Sequence, residues 1–208
     1  MKTVIIIMVV LITTVSFTQN IYDLQPGTKG NEIKLSVVNL SELNPATNVN
    51  VVLTRKSSSL TFSKETETIE LIEAKSEAEA AFTFDVNRNT PINRKDTIDF
   101  MITSSDGIMM IMTFIFSYTG PKEFKLEQNF PNPFNPTTTI QYQLPTDSKI
   151  TLKVYDILGS EVITLVNEEQ EAGYKEIKFN AGNIASGIYI YRLHSGDFVS
   201  VKKMMVVK

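Results

Sequence analysis

The chain has 208 residues, 42% of them hydrophobic, and its 20 basic and 23 acidic side chains leave a net charge of -3. That length holds two ordinary domains with real cores, and the charge balance offers no basic face of the kind that nucleic acid requires, so no nucleic-acid partner is expected. No cysteine is present, which excludes disulfides, Cys-ligated metal, a thiol nucleophile and lipid attachment to an N-terminal Cys.

The chain opens "MKTVIIIMVVLITTVSFTQN". One positive charge at Lys2, an apolar run over residues 4–12 and small polar residues at Ser16 and Thr18 follow the order of a secretory signal peptide. Residues 1–18 are therefore expected to be a leader, cleaved between Thr18 and Gln19. A membrane anchor or a buried first strand are the alternatives, and the apolar run is well short of the ~20 residues that a spanning helix needs.

After this segment, apolar residues recur at every second position in short runs bounded by Gly, Pro, Asn and Ser, which is the signature of half-buried strands. Ile33, Leu35 and Val37 make one row, Val49, Val51 and Leu53 a second, Phe82, Phe84 and Val86 a third, and Ile98, Phe100 and Ile102 a fourth. The run "GIMMIMTFIFSY" over residues 107–118 is apolar at nearly every position and predicts an inner strand covered on both faces. The Glu- and Ala-rich segment "SKETETIELIEAKSEAEAAF" has helical propensity. Its Ile69 and Leu71 alternate with charge, however, as do Phe82 and Phe84 with Thr83 and Asp85, which favours two strands turning near Lys75 and Ser76. About seven strands in roughly 100 residues suggest an immunoglobulin-like sandwich over residues 19–119. The stretches "PGTKGNEIKLSVVNL", "NVNVVLTR" and "AEAAFTFDV" loosely resemble bacterial Ig-like accessory modules of the cell-adhesion type.

"YTGPKEF" at residues 118–124 breaks the pattern with Gly120 and Pro121 and marks a domain boundary. A second block of rows follows: Ile140, Tyr142 and Leu144; Ile150, Leu152 and Val154; Val162 with Leu165; Ile177 with Phe179; Ile188 with Ile190; and a tail over residues 198–207. Residues 156–159 and 195–197 carry hairpin-turn signals, with glycine supplying positive φ. The fold expected for the whole is all-β: two tandem immunoglobulin-like β-sandwich domains after the leader, the second spanning residues 120–208.

That second domain begins with "QNFPNPFNPTTTIQYQLP", in which Pro131, Pro133 and Pro136 are interleaved with Asn132, Phe134 and Asn135. Prolines have no N–H to give a sheet, and each pushes its predecessor towards extended geometry. The expected result is a stiff strap that lays apolar groups on the sandwich, with Asn132 and Asn135 bonding backbone that the prolines leave unpaired.

This stretch, then "LKVYDILGSEV", then "AGYKEIKFNAGNIASGIYIYRL", and finally "KKMMVVK" closely resemble the C-terminal sorting domain (type A) of cargo exported by the type IX secretion system of Bacteroidetes. The resemblance covers about 85 residues in order. It implies a small Ig-like sandwich, read by the type IX translocon after export to the periplasm, then removed by a surface sortase that attaches cargo to lipopolysaccharide. The implied localisation is secreted: periplasm in transit, then the cell surface or extracellular space. By this resemblance Pro131, Asn132, Pro133, Phe134, Asn135 and Pro136 form the proline motif, Tyr155, Asp156 and Gly159 a strand-turn motif, Ser186, Gly187, Tyr189 and Tyr191 a late strand, and Lys203, Met204 and Lys208 the terminal segment. The lysines among Met204, Met205, Val206 and Val207 also fit an ordinary protected edge strand.

Evidence for chemistry is thin. The single histidine, His194, closes the strand "GIYIYRL" beside a Ser-Gly turn, where it reads as an exposed turn residue. The carboxylates Glu65, Glu67, Glu70 and Glu73, and the group Glu168, Glu169 and Glu171, read as solvated faces and lack calcium-loop spacing. No nucleophile, phosphate-loop or metalloprotease motif appears, so no catalytic residue, metal or cofactor is expected and the chain is not expected to be an enzyme. Two roles remain for residues 19–119, whose ligand is unknown: a surface module for binding, adhesion or spacing, or an accessory module of a secreted hydrolase system. A carbohydrate-binding version of the second would need an exposed aromatic platform, and without Trp only Tyr22 and Tyr118 stand as candidates.

Overall fold

A computed structural model describes residues 4–10, 21–105, 107 and 109–208. Two compact units emerge, one of Met1–Asn87 and Asn93–Thr119, the other of Arg88–Ile92 and Gly120–Lys208. In chain order the first contains β1 (Val4–Val10), β2 (Ile21–Leu24), β3 (Asn31–Val38), β4 (Ala46–Arg55), β5 (Leu60–Phe62), β6 (Thr66–Ile72), β7 (Glu77–Val86), β8 (Lys95–Thr103) and β9 (Met109–Tyr118). The second contains β10 (Lys125–Leu126), β11 (Thr137–Leu144), β12 (Ser148–Tyr155), β13 (Glu161–Gln170), β14 (Gly173–Asn180), β15 (Gly187–Ser195) and β16 (Phe198–Val206).

The first unit stacks a sheet of order β1-β3-β7-β5 on one of order β2-β9-β8-β4-β6. The four apolar rows expected from the sequence all face inward and are buried. Phenylalanines dominate the interior: Phe100 meets Phe82 at 4.6 Å between ring centres and Phe114 edge-on at 5.8 Å. The Glu- and Ala-rich segment forms two strands, β6 and β7, with Lys75 at φ 57 in the connection between them. These two strands lie in different sheets, so the turn is a corner and not a hairpin.

One expectation for this unit is revised. The run in β9 is not covered on both faces: Phe114 and Phe116 point inward, whereas Met109 and Ile111 are exposed. Composition alone hides that alternation, because both faces of the strand carry apolar residues. Of the expected leader, Val4–Val10 form β1, paired in parallel with β3 from Glu32 to Val38. The remainder of the leader, including the expected cleavage position between Thr18 and Gln19, lies outside the described residues.

The second unit packs a sheet of order β10-β11-β14 on one of order β13-β12-β15-β16. The pairings between its named strands are antiparallel, with register shifts between β12 and β13 at Leu152/Lys153 and Val154/Tyr155. Its core holds Ile140, Tyr142, Leu144, Ile150, Leu152 and Val154 as expected, joined by Tyr191, Leu193, Met204 and Val206. In β15 the inward parity is the reverse of the expected row, since Tyr191 and Leu193 are buried while Ile188 faces outward. "GIYIYRL" is apolar or aromatic at both parities, and the choice falls to the side chain whose polar tip finds partners inside.

Candidate functional site: the proline strap and the terminal strand

The strap over residues 130–136 runs along the outer edge of β16. Such an edge offers unpaired N–H and C=O groups in a row, and here four consecutive ones are satisfied. The Lys203 carbonyl accepts from Asn132 Nδ2 at 3.3 Å and from Gln128 Nε2 at 2.7 Å. The Met205 N–H donates to Asn132 Oδ1 at 2.9 Å. Beyond it the Phe134 N–H donates to the Met205 carbonyl, and the Val207 N–H donates to the Phe134 carbonyl, both at 3.0 Å.

A peptide group in a neighbouring strand would bond one acceptor and one donor in this way. The Asn132 carboxamide carries the same pair of functions, so at Lys203 and Met205 it takes the place of a strand. Phe134 then continues as a parallel bridge to Val206.

Phe134 is the strap's inward side chain, buried against Phe179 with ring centres 6.1 Å apart. Pro131, Pro133, Asn135 and Pro136 are exposed, as is Phe130. The Phe130–Pro131 and Asn132–Pro133 peptide bonds are cis. The strap therefore lays one aromatic group on the sandwich, not the rows that a regular three-residue repeat would give. Of the two asparagines expected to bond backbone, Asn132 does so.

Prolines remove donors but keep their carbonyls, which still need partners. The Pro131 carbonyl accepts from Thr138 Oγ1 at 2.8 Å and from Asn129 Nδ2 at 3.1 Å, and the Pro136 carbonyl accepts from the Ala181 N–H at 2.8 Å. Asn129 is itself buried, and its N–H donates to Tyr191 Oη at 2.8 Å. The Tyr191 hydroxyl in turn donates to the Glu127 carbonyl at 2.8 Å. Burial pushes the Tyr191 phenol up to about 12, so it stays a neutral donor at any physiological pH. This clasp holds the entry of the strap against β15.

The end of the chain is tied down from the other side. The Lys208 N–H donates to Ser186 Oγ at 3.1 Å, and Lys208 Nζ donates to the Gly182 carbonyl at 3.0 Å. Gly187 pairs with Val206 and Tyr189 with Met204 in the β15–β16 ladder, and the Tyr189 hydroxyl donates to the Ala185 carbonyl at 3.0 Å. Met204 is fully buried, whereas Lys203 points outward opposite Ile190. The proline motif, the late strand and the terminal segment thus form one interlocked constellation.

Tyr155, Asp156 and Gly159 stand apart from it, at the β12–β13 turn. There Asp156 Oδ1 accepts from the N–H groups of Leu158 and Ser160 at 2.9 and 2.8 Å, and Gly159 supplies φ 85.

Gln128, Asn129 and Glu127 were not singled out by sequence reasoning. The signal that could have found them is the polar pair placed just before a run of donor-poor, acceptor-rich prolines. In the first unit Tyr118 offers no aromatic platform, for it is buried and its hydroxyl donates to Asp96 Oδ2 at 2.9 Å. Tyr22 is half-buried against Phe114 and Phe116.

With this geometry established, comparison with known proteins is informative for the second unit. Residues 128–208 match the family described as the secretion system C-terminal sorting domain. The second sandwich carries a sorting domain. The match begins at Gln128, whose side chain bonds the terminal strand, and runs to Lys208.

Solved structures similar to the chain are distant. Dimeric latent PorU from Porphyromonas gingivalis is 16% identical over 93% of this chain and 19% of that one, with a TM-score of 0.34, so the chain spans about a fifth of its length. The CupB2 chaperone of Pseudomonas aeruginosa is 11% identical over 90% of this chain and 97% of that one, TM-score 0.34. The calcium binding domain CBD12 of CALX1.1 is 11% identical over 84% and 77%, TM-score 0.35. No curated protein matches the chain.

Proposed function

We propose that this protein is non-catalytic cargo of a type IX secretion system, addressed by its second sandwich and displaying its first as a module for binding, adhesion or spacing. The observation that carries this reading is the sorting-domain match over residues 128–208. The leader at residues 1–18 takes the chain to the periplasm, where the translocon reads the second sandwich. A surface sortase then cuts near residues 118–125 and joins the first sandwich to lipopolysaccharide.

The strap and terminal strand give the address a fixed form. Because Met204 and Val206 belong to the core, the tail is read as part of a folded sandwich and not as a loose peptide. A deletion of residues 203–208 would remove the fold together with the signal. The cleaner test fuses a signal peptide, a fluorescent reporter and residues 120–208, and expresses the fusion in cells with an intact and with a disabled type IX system. Surface fluorescence in the first strain and periplasmic retention in the second is the expected result. Equal retention in both removes the reading, and intact mass of the surface form of the full chain reports the cut.

A further inference from the structure

The outer face of the β13-β12-β15-β16 sheet is more apolar than a free sandwich face should be. Strand side chains alternate between faces, and on this sheet the inward positions are filled by Leu152, Val154, Tyr191, Leu193 and Met204. The outward positions of the last two strands would then be polar. Instead Ile188 is 42% exposed, Val199 53%, Val201 51% and Met205 40%. They sit together, because Ile188 pairs with Met205, while Val201 lies opposite Arg192 and Val199 opposite His194. Contiguous exposed apolar surface of this kind marks an interaction site more often than scattered single residues do.

The turn after β12 borders the same face. Its tips, Ile157 and Leu158, are 71% and 86% exposed. They are held out by design of the turn, since both oxygen-bound N–H groups converge on Asp156 and Gly159 takes a left-handed φ. Between this turn and the apolar strip lies a groove of about 400 Å³ whose walls include Tyr155, Ile190, Arg192 and Val201. A further hollow of about 200 Å³ extends it past Lys153 and His194.

Arg192 stands between the two. Its guanidinium lies 4.8 Å from the centre of the Tyr155 ring, and its Nη2 donates to Tyr155 Oη at 2.6 Å. Its neighbour Lys153 is neutralised by Glu161 at 2.8 Å. Arg192 makes no ion pair of its own among the described residues, although Glu161 feels its charge, and Lys203 makes none. The ring contact and the hydrogen bond anchor the guanidinium beside Tyr155 while engaging one of its five donors, and a planar guanidinium with free donors suits bidentate pairing with a carboxylate.

We propose that this face, centred on Arg192, is where the sorting domain docks on a translocon polypeptide that presents a carboxylate among apolar side chains. The proposal rests on the export reading above. Charge selects the occupant: Arg192 and Lys203 place two positive charges on an otherwise apolar face, which a partner bearing a carboxylate complements. A sugar phosphate would satisfy Arg192 but leave Ile157, Leu158, Val199 and Val201 against a polar surface, whereas a polypeptide ridge with an acidic residue satisfies both.

The test uses the full chain in cells with a type IX system. Arg192→Glu should lower the surface-exposed fraction at least tenfold, Arg192→Lys should retain part of it, and Val201→Asp should behave like Arg192→Glu. Purified variants should melt within a few degrees of the original, as befits exposed positions. A photo-crosslinking residue at Leu158 should capture a polypeptide of the outer membrane, and Arg192→Glu should abolish that product. If the unaltered chain is not exported, the address reading itself is wrong and this docking face falls with it. If the unaltered chain and Arg192→Glu are exported alike, or Leu158 crosslinks to lipopolysaccharide or to a second copy, the docking face alone is wrong.

Discussion

The two sandwiches end on strands of similar length, β9 with 10 residues and β16 with 9, and each has that strand covered by a segment from earlier in its own unit. In the first, β2 pairs in parallel with Ile115–Tyr118 along a backbone ladder, with a side-chain bond from the Ser117 hydroxyl to Asp23 beside it. In the second, the cover is also parallel at Phe134 and Val206, but half of its bonds come from the Asn132 side chain and half from the Phe134 backbone, with prolines on either side of both. A backbone strand has a second edge that can accept a further strand. A strap with proline at positions 131, 133 and 136 lacks three of the N–H donors that a further strand would need, which disfavours pairing there. The lesson is that an edge can be sealed by side-chain amides where a sheet must not grow.

This contrast can be attacked at graded cost. Phe134→Ala should have the largest effect, removing the strap's buried ring for a loss of about 3–5 kcal/mol. Calorimetry of the full chain should show the transition of the second unit falling while that of the first is unchanged. A downward shift of both would mean that the units are not separately held. Tyr191→Phe leaves the Glu127 carbonyl and the Asn129 N–H without their partner and should cost about 1–3 kcal/mol, with faster amide exchange at Asn129 as the local readout.

Asn132→Ala is milder, about 1 kcal/mol, yet the most diagnostic. Amide exchange at Met205 should rise while Val207, held by the Phe134 carbonyl, stays protected. Unchanged exchange at Met205 would show that the carboxamide does not act as a strand.

The smallest effect belongs to the first unit and appears only in acid. Burial alone would raise the Asp96 carboxyl, but hydrogen bonds from Ser57, Ser59, Tyr118 and Arg94 outweigh it and hold the group below its ordinary value of 3.8. Its contribution is therefore complete above that value and is lost as the pH falls through the lower native one. Asp96→Asn should flatten the acid side of the first unit's melting profile, and an unchanged profile would assign that acid sensitivity to other carboxylates.

Much of this architecture was legible in the alternation of apolar residues. The rows at Ile33 and Phe82 alternate with polar or charged residues throughout, those at Val49 and Ile98 are broken only by Val52 and Met101, and each row faces inward. Where both parities are apolar the pattern loses its phase, as in β9, where Met109 and Ile111 stay outside, and in β15, where Ile188 does. The strap's stiffness could be read from its prolines, and the importance of Asn132 from its place among them. Its partner could not: Asn132 and Lys203 are 71 positions apart, and local sequence carries no record of which edge a strap will meet. Arg192 was missed for a related reason, since its meaning depends on Tyr155 in a neighbouring strand.

The Tyr191 hydroxyl also makes the second sandwich sensitive to alkali. A phenol held at about 12 and ordinarily ionising near 10 favours the folded state below the lower value. As the pH rises from about 10 to 12 that advantage drains away, because an unfolded chain can shed the proton and the clasped one cannot. The chain has no tryptophan, and five of its seven tyrosines, at positions 142, 155, 174, 189 and 191, belong to the second unit. Tyrosine absorbance and emission thus report chiefly on that unit, and because Tyr118 of the first unit is also held at about 12, the late ionisation that Tyr191→Phe removes is the part that belongs to the clasp.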